Sequence, residues 1–134
     1  MSRWSSIELT SRANQSGRLV VADFARDIPF VPKRTFWVTD VPAGITRGFH
    51  AHKTGHQLLV CLSGRVLATL DDGEKLETIV LTNSGPAVWM PNMVWGEQTF
   101  LEPNTILLVI ASNEYDENDY IRDRSQFASM IQDL

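Results

Sequence analysis

Apolar positions in this chain gather in short runs of β-branched, aromatic and leucine residues. The runs are RLVVADF (18–24), RTFWVTDV (34–41), QLLVCLSG (57–64), RVLATLDDG (65–73), ETIVLT (77–82) and TILLVIAS (105–112). Gly, Pro, Asp or Asn bounds them, the pattern of strands separated by tight turns. LSGR at 62–65 and DDGE at 71–74 supply glycine where a turn needs positive φ. The six prolines fall between runs or at their ends, where a missing N–H costs no ladder bond. With almost no helical periodicity between the runs, the spacing predicts an all-β sandwich or barrel. Only the tail differs. In RSQFASMIQDL (124–134), Phe127, Met130, Ile131 and Leu134 recur at i, i+3, i+4 and i+7. That predicts a short C-terminal helix, capped by Ser125, whose apolar stripe packs on the barrel or on a partner subunit.

At 134 residues without a linker or internal repeat, the chain is expected to form one domain, 1–134, with its own core. The net charge of −4 and scattered basic residues argue against nucleic acid or an acidic membrane surface as a partner. The single cysteine, Cys61, sits inside an apolar run, where a packing role is expected and no internal disulfide can form. MSRWSSIELTSR has no apolar signal-type core, and no stretch reaches membrane-spanning length. A cytoplasmic location is the expectation.

All three histidines, His50, His52 and His56, lie in RGFHAHKTGHQLLVCLSG (47–64). An H-x-H pair on a strand directs both imidazoles to one face. Small metal-binding barrels of the cupin class carry G-x5-H-x-H-x(3,4)-E-x6-G followed by G-x5-P-x-G-x2-H-x3-N. Gly44, His50, His52 and Gly64 fit the first frame, but Gln57 or His56 stands where it needs glutamate. Gly85 and Pro91 fit the second, with Met93 at its glycine and Gly96 at its histidine. A divalent ion in such a barrel needs most of three imidazoles and a carboxylate. The frame is present and several ligands are not. Three readings follow: a three-nitrogen site if His56 turns inward, hydrogen-bonded structural histidines, or acid–base chemistry without metal at an imidazole poised near neutral pH. The third is preferred, so no metal and no cofactor is expected.

RGFHAHK, QLLVCLSG, LDDG, PNMVW and ASNEYDENDYIRD together resemble the metal-independent cupin sugar-nucleotide 3,4-ketoisomerases, the WxcM-like group. The likeness runs from SGRLV to DYIRD. It implies a double-stranded β-helix (cupin or jelly-roll) barrel and a homodimer with exchanged N-terminal strands. It also implies a nucleotide-sugar substrate, dTDP-4-keto-6-deoxyglucose or a relative, whose carbonyl moves from carbon 4 to carbon 3. Carried over by motif, His50 and His52 are the catalytic pair. Arg47 is expected on the enolate oxygen or a phosphate, Arg34 on the diphosphate, and Trp37 and Trp95 against base or sugar. Gln57 is a further substrate-binding candidate. Three departures stand out. Gly96 in MVWGEQ replaces a histidine, Ser16 in NQSGRL replaces an arginine near the substrate, and TFWV lacks a common tyrosine. These leave a non-catalytic sugar-nucleotide-binding module as the alternative, and a metal cupin as a weaker one. Glu97 could substitute as an acid–base group if a bulge swings it inward; regular register puts it outside.

Overall fold

The computed structural model describes residues 3–134. Its elements run β1 (Ser5–Ile7), β2 (Thr10–Asn14), β3 (Gly17–Val21), β4 (Arg34–Val38), β5 (Thr46–His52), β6 (Gln57–Ser63), β7 (Arg65–Asp71) and β8 (Leu76–Thr82). Then come β9 (Ala87–Met90), β10 (Trp95–Phe100), β11 (Ile106–Ala111), a 3-10 turn at Glu117–Asp119, β12 (Tyr120–Ile121) and α1 (Arg124–Gln132). Two five-stranded antiparallel sheets form, in the orders β1-β9-β6-β11-β4 and β12-β5-β10-β7-β8. From β4 onward the chain crosses between sheets at every step except the β7–β8 hairpin. That is a jelly-roll path, and it closes a small barrel around the inward faces.

Period-2 alternation decides what goes inside. Leu59 and Cys61 of β6, Val66, Ala68 and Leu70 of β7, Val88 and Met90 of β9, and Leu107 and Val109 of β11 form the main core with Leu81 and Phe100. Each large side chain taken fully out of water contributes about 1.5–3 kcal/mol, so this interior dominates the stability. The six strands expected from the apolar runs are all present, with ends that differ from the runs by one to three residues. Strand β4 stops at Val38, and Asp40 beyond it takes φ 62°.

The second frame, 85–100, forms β9 and β10, which no long apolar run announced. At the other end, α1 is capped by Asp123, whose carboxylate accepts the Gln126 N–H at 2.9 Å, and not by Ser125. Phe127 of its stripe is buried against Trp95, while Leu134 lies past the helix and is exposed. Strands β2 and β3 pair only with each other, and this hairpin is exposed along its whole length. No helix among the described residues is long and apolar enough to cross a membrane.

Candidate active site

The inward face of β5 carries the histidines, and a bulge decides what joins them. Strand β10 pairs Gly96 with His50 and Glu97 with Gly48, so Phe49 is the extra residue. Gly48 and Phe49 both take positive φ, 96° and 56°. Only glycine fits at 48. A Cβ there would stand 2.7 Å from Gln98 Oε1 and 2.9 Å from the Gly96 carbonyl oxygen. The inserted residue shifts the alternation of the strand, so that Arg47 reaches the interior beside its partner Gln98. In unbroken alternation Arg47 would face away from His50.

A cavity of about 250 Å³ opens at this end of the barrel. Its wall includes Arg47, His50, Gln57, Gln98, Tyr120 and Arg122, over a floor of Phe36, Leu59, Phe100 and Val109. A smaller void adjoins it and shares Gln57 and Tyr120; His52, Arg34 and Asp119 line that side. The His50 and His52 rings stand edge to face with centroids 5.0 Å apart. Tyr120 packs against both, at 5.0 Å and 4.4 Å, because β12 pairs with β5 in the register Tyr120 to His52.

Each imidazole has its own support. His50 Nδ1 lies 3.0 Å from the carbonyl oxygen of Gly48, the bulge residue. His52 Nδ1 lies 3.3 Å from Asp119 Oδ2, and its Nε2 is buried without a partner. Burial pushes His50 down to about 4, and the neighbouring His52 adds to the lowering. His52 is also lowered by burial; Asp119 opposes this, while Arg34 and Arg122 add to it. Burial alone would push the Asp119 carboxyl up. Donors from Thr54 and Gly55, together with His52, outweigh that and hold it below the usual carboxylate range. At neutral pH the face therefore presents two uncharged imidazoles in a pocket rimmed by guanidinium groups, one of them backed by a carboxylate.

The expected residues divide. His50, His52, Gln57, Arg34 and Arg47 come together. Arg34 lines the void on the His52 side: its guanidinium packs over Phe36 and Tyr115, and its Nε is buried and unpartnered. Two expectations, Trp37 and Trp95, need correction. Trp37 is 63 % exposed on the outer face of β4, because alternation turns Phe36 and Val38 inward instead. Trp95 is buried on the outer face of β10, beneath α1 against Phe127. Ser16 sits at the β2–β3 turn, away from the cavity of its own chain.

His56 does not join the pair. It stacks between Phe30 and Trp89, and its Nδ1 accepts the Trp89 indole N–H at 3.3 Å. Among the described residues no three His, Cys, Asp or Glu side chains converge as a ligand set. The β10 register does shift beside Glu97, yet its carboxylate accepts the Trp95 indole N–H at 2.9 Å on the outer face. At Gly96, opposite His50, a Cβ would meet Met90 Sδ at 2.6 Å. The thioether therefore occupies the space a longer side chain at 96 would need.

Asp119, Tyr120, Arg122 and Gln98 were missed as site residues. Three of them lie in the quoted YDENDYIRD segment, whose chemistry-dense composition was the available signal. A second cavity, of about 220 Å³, opens between the hairpin and the β8–β9 turn, but it holds no histidine and no carboxylate–imidazole contact.

Two crossed-over antiparallel sheets with an inward H-x-H pair define a cupin-type barrel, with the two imidazoles at its open end. The chain belongs to the WxcM-like, C-terminal (FdtA) family, whose sequence model matches residues 2–132. It is 37 % identical over 115 residues to the TDP-4-oxo-6-deoxy-α-D-glucose-3,4-oxoisomerase of Aneurinibacillus thermoaerophilus, covering 86 % of this chain and 83 % of that one. Its fold superposes with a TM-score of 0.91 on QdtA, a sugar 3,4-ketoisomerase from Thermoanaerobacterium thermosaccharolyticum in complex with TDP. That match has 34 % identity and covers 97 % of this chain and 95 % of the other. A histidine-to-asparagine mutant of the same enzyme, in complex with TDP-4-keto-6-deoxyglucose, matches at 32 % identity with a TM-score of 0.93, over 99 % and 96 % of the two chains. The resemblance read from RGFHAHK and YDENDYIRD and these comparisons agree.

Proposed function

We propose that this chain isomerises a nucleotide-linked 4-keto-6-deoxy sugar to its 3-keto isomer, with dTDP-4-keto-6-deoxyglucose or a close relative as substrate. The observation that carries the reading is the pair of uncharged imidazoles, His52 buried and His50 half-buried, beside a cavity that also presents Arg47 and Arg122. A hydrogen alpha to a ketone is acidified by the carbonyl, so a positioned, uncharged imidazole can act as the base without metal. An imidazole takes the proton from carbon 3, and the electron pair moves onto the carbon-4 oxygen to give an enediolate. The imidazolium then returns its proton to carbon 4, while the proton of the carbon-3 hydroxyl passes to the carbon-4 oxygen. Carbon 3 ends as the ketone and carbon 4 as the carbinol, so the redox change stays within one molecule. Arg47 supplies a donor to the developing oxyanion, a contact that strengthens as charge builds. Arg122 faces the same opening and suits the diphosphate. The buried free thiol of Cys61 suits a reducing cytoplasm.

Gly96 is the specific observation in favour of a binding module instead. Incubating the protein with dTDP-4-keto-6-deoxyglucose in heavy water decides between the two. Deuterium at carbon 4 of a 3-keto product supports the isomerase. Tight binding with no exchange would leave only the binding module.

The protein is further proposed to act as a homodimer with exchanged N-terminal strands. Trp4 gives no reason for this, since it is buried within its own chain with its indole bonded to Glu77. The reason is the β2–β3 hairpin, which leaves Leu19 (61 % exposed), Val20, Val21 and Phe24 uncovered. Light scattering at micromolar concentration is expected to give the mass of a dimer, and a Leu19→Asp, Val20→Asp double variant that of a monomer. A monomeric native protein would overturn the proposal.

A further inference from the structure

We infer that Gln57 and Gln98 are specificity-determining residues, whose two amides hold the carbon-2 hydroxyl of the sugar and so restrict the substrate to 2-hydroxy sugars. This rests on the isomerase reading and names the part of the substrate that the uncharged wall of the same cavity recognises.

Strand alternation aims both side chains inward. Gln57 precedes Leu59 and Cys61 on the inner face of β6, and Gln98 lies between Gly96 and Phe100 on the inner face of β10. They are 4 % and 8 % exposed, far more buried than glutamine usually is, and both line the cavity. Gln98 has a place made for it. A Cβ at Gly48 would stand 2.7 Å from its Oε1, and one at Gly96 would stand 3.2 Å from its Nε2. Two glycines on neighbouring strands therefore hold a slot open for this amide. Among the described residues neither glutamine amide has a hydrogen-bond partner, and both face the cavity. Buried polar groups are nearly always paired, so these two point to a ligand.

The chemistry of an amide narrows what that ligand group is. It offers an N–H donor and a carbonyl acceptor and carries no charge. A hydroxyl held by two amides accepts from one and donates to the other. A ketone or ring oxygen only accepts, and a methyl group does neither. The 4-keto-6-deoxy sugar has four features to place. Carbons 3 and 4 belong at the imidazoles, with the developing oxyanion at Arg47. The diphosphate on carbon 1 suits Arg122, and the carbon-6 methyl suits the apolar floor of Phe36, Leu59, Phe100 and Val109. The carbon-2 hydroxyl, the one sugar hydroxyl outside the reaction, is left for the amides.

Gln57 also stands where the metal-binding frame has glutamate. A carboxylate there would only accept, and its charge would oppose that of the enediolate. The amide donates as well and adds no charge. Discrimination then works by loss. A 2-deoxy sugar leaves both buried amides without partners, which a site built for a hydroxyl does not tolerate. Leucine has nearly the size of glutamine and needs no partner, so it removes the preference without opening a large void.

The test compares dTDP-4-keto-6-deoxyglucose with its 2-deoxy analogue, by deuterium uptake and by calorimetric binding, in the native protein, Gln57→Leu, Gln98→Leu and the double variant. The native protein is expected to favour the 2-hydroxy sugar by about 10²–10⁴-fold in kcat/KM. Each leucine variant is expected to lose about 10–100-fold on the 2-hydroxy sugar and to stay within about 3-fold of native on the 2-deoxy sugar. The double variant should discriminate little. Any difference in carbon-3 acidity between the two sugars is common to all of these proteins and cancels when their ratios are compared. A merely structural role would slow both sugars alike, so an unchanged ratio in folded variants overturns the inference. A native protein that handles the 2-deoxy sugar as fast as the 2-hydroxy sugar also overturns it, and that measurement needs no variant. Failure of the isomerase reading is separate: neither sugar would then exchange, and a native affinity about 10-fold or more in favour of the 2-hydroxy sugar would still support the amides.

Discussion

Replacing His52 with asparagine is expected to slow deuterium uptake from solvent into the sugar by about 10²–10⁴-fold, the range for losing a general base. The fold should persist. Asparagine is smaller than histidine, and its amide NH2 can still donate to Asp119, so the buried carboxylate keeps a partner on that side. Asparagine has no basic nitrogen, however, so the proton on carbon 3 has no acceptor at this position. The measurement is the rate of exchange followed by mass spectrometry, together with nucleotide-sugar affinity and a thermal melt. Affinity and melting should stay close to native. Brisk exchange that survives the loss of both His50 and His52 would show that the proton-transfer face lies elsewhere. Exchange lost together with the fold would be uninformative for His52 alone, and His52→Gln then supplies a second amide of greater reach.

The largest expected effect on stability comes from Gly48→Ala. A side chain at φ 96° is strained, and its Cβ would stand 2.7 Å from Gln98 Oε1 and 2.9 Å from the Gly96 carbonyl oxygen. The Gln98 side chain can swing aside; the β10 backbone cannot. Backbone strain of about 1–3 kcal/mol and overpacking of about 1–3 kcal/mol combine to a loss of about 2–6 kcal/mol, read as a lower urea midpoint at unchanged slope. Activity should fall even in the fraction that folds, because the carbonyl that orients His50 belongs to this residue. A midpoint within experimental error of the native one would mean that the bulge is not held as described.

The barrel itself was legible. The apolar runs QLLVCLSG, RVLATLDDG and TILLVIAS predicted β6, β7 and β11 because their side chains pack in the core and turn residues stand at their ends. Strands β9 and β10 were not, since PAVWM and WGEQTF are too short or too polar to give an apolar run. They are held by pairing with β6, β5 and β7, which no local pattern records. The histidine face was legible from H-x-H, because period 2 is a property of the strand alone. Arg47 illustrates the limit. Its place in the cavity depends on an extra residue in β5 relative to β10, and sequence spacing cannot show which strand carries a bulge. Trp37 and Trp95 failed for the converse reason. They were selected by chemical type, while strict alternation of their own strands turns them outward. Asp119 was missed because it lies 67 residues beyond His52 and meets it only through the β12–β5 pairing.

That last separation bears on how the protein is made. Arg34, His50 and His52 are synthesised before β6 to β11, whereas Asp119, Tyr120 and Arg122 follow all of these strands. A nascent chain that has paired β5 through β11 has spent most of its loop-closure entropy and buried most of its core. Its two imidazoles still lack the carboxylate and the aromatic ring that pack against them. The cavity wall is therefore complete only once the segment 119–122 has docked against β5.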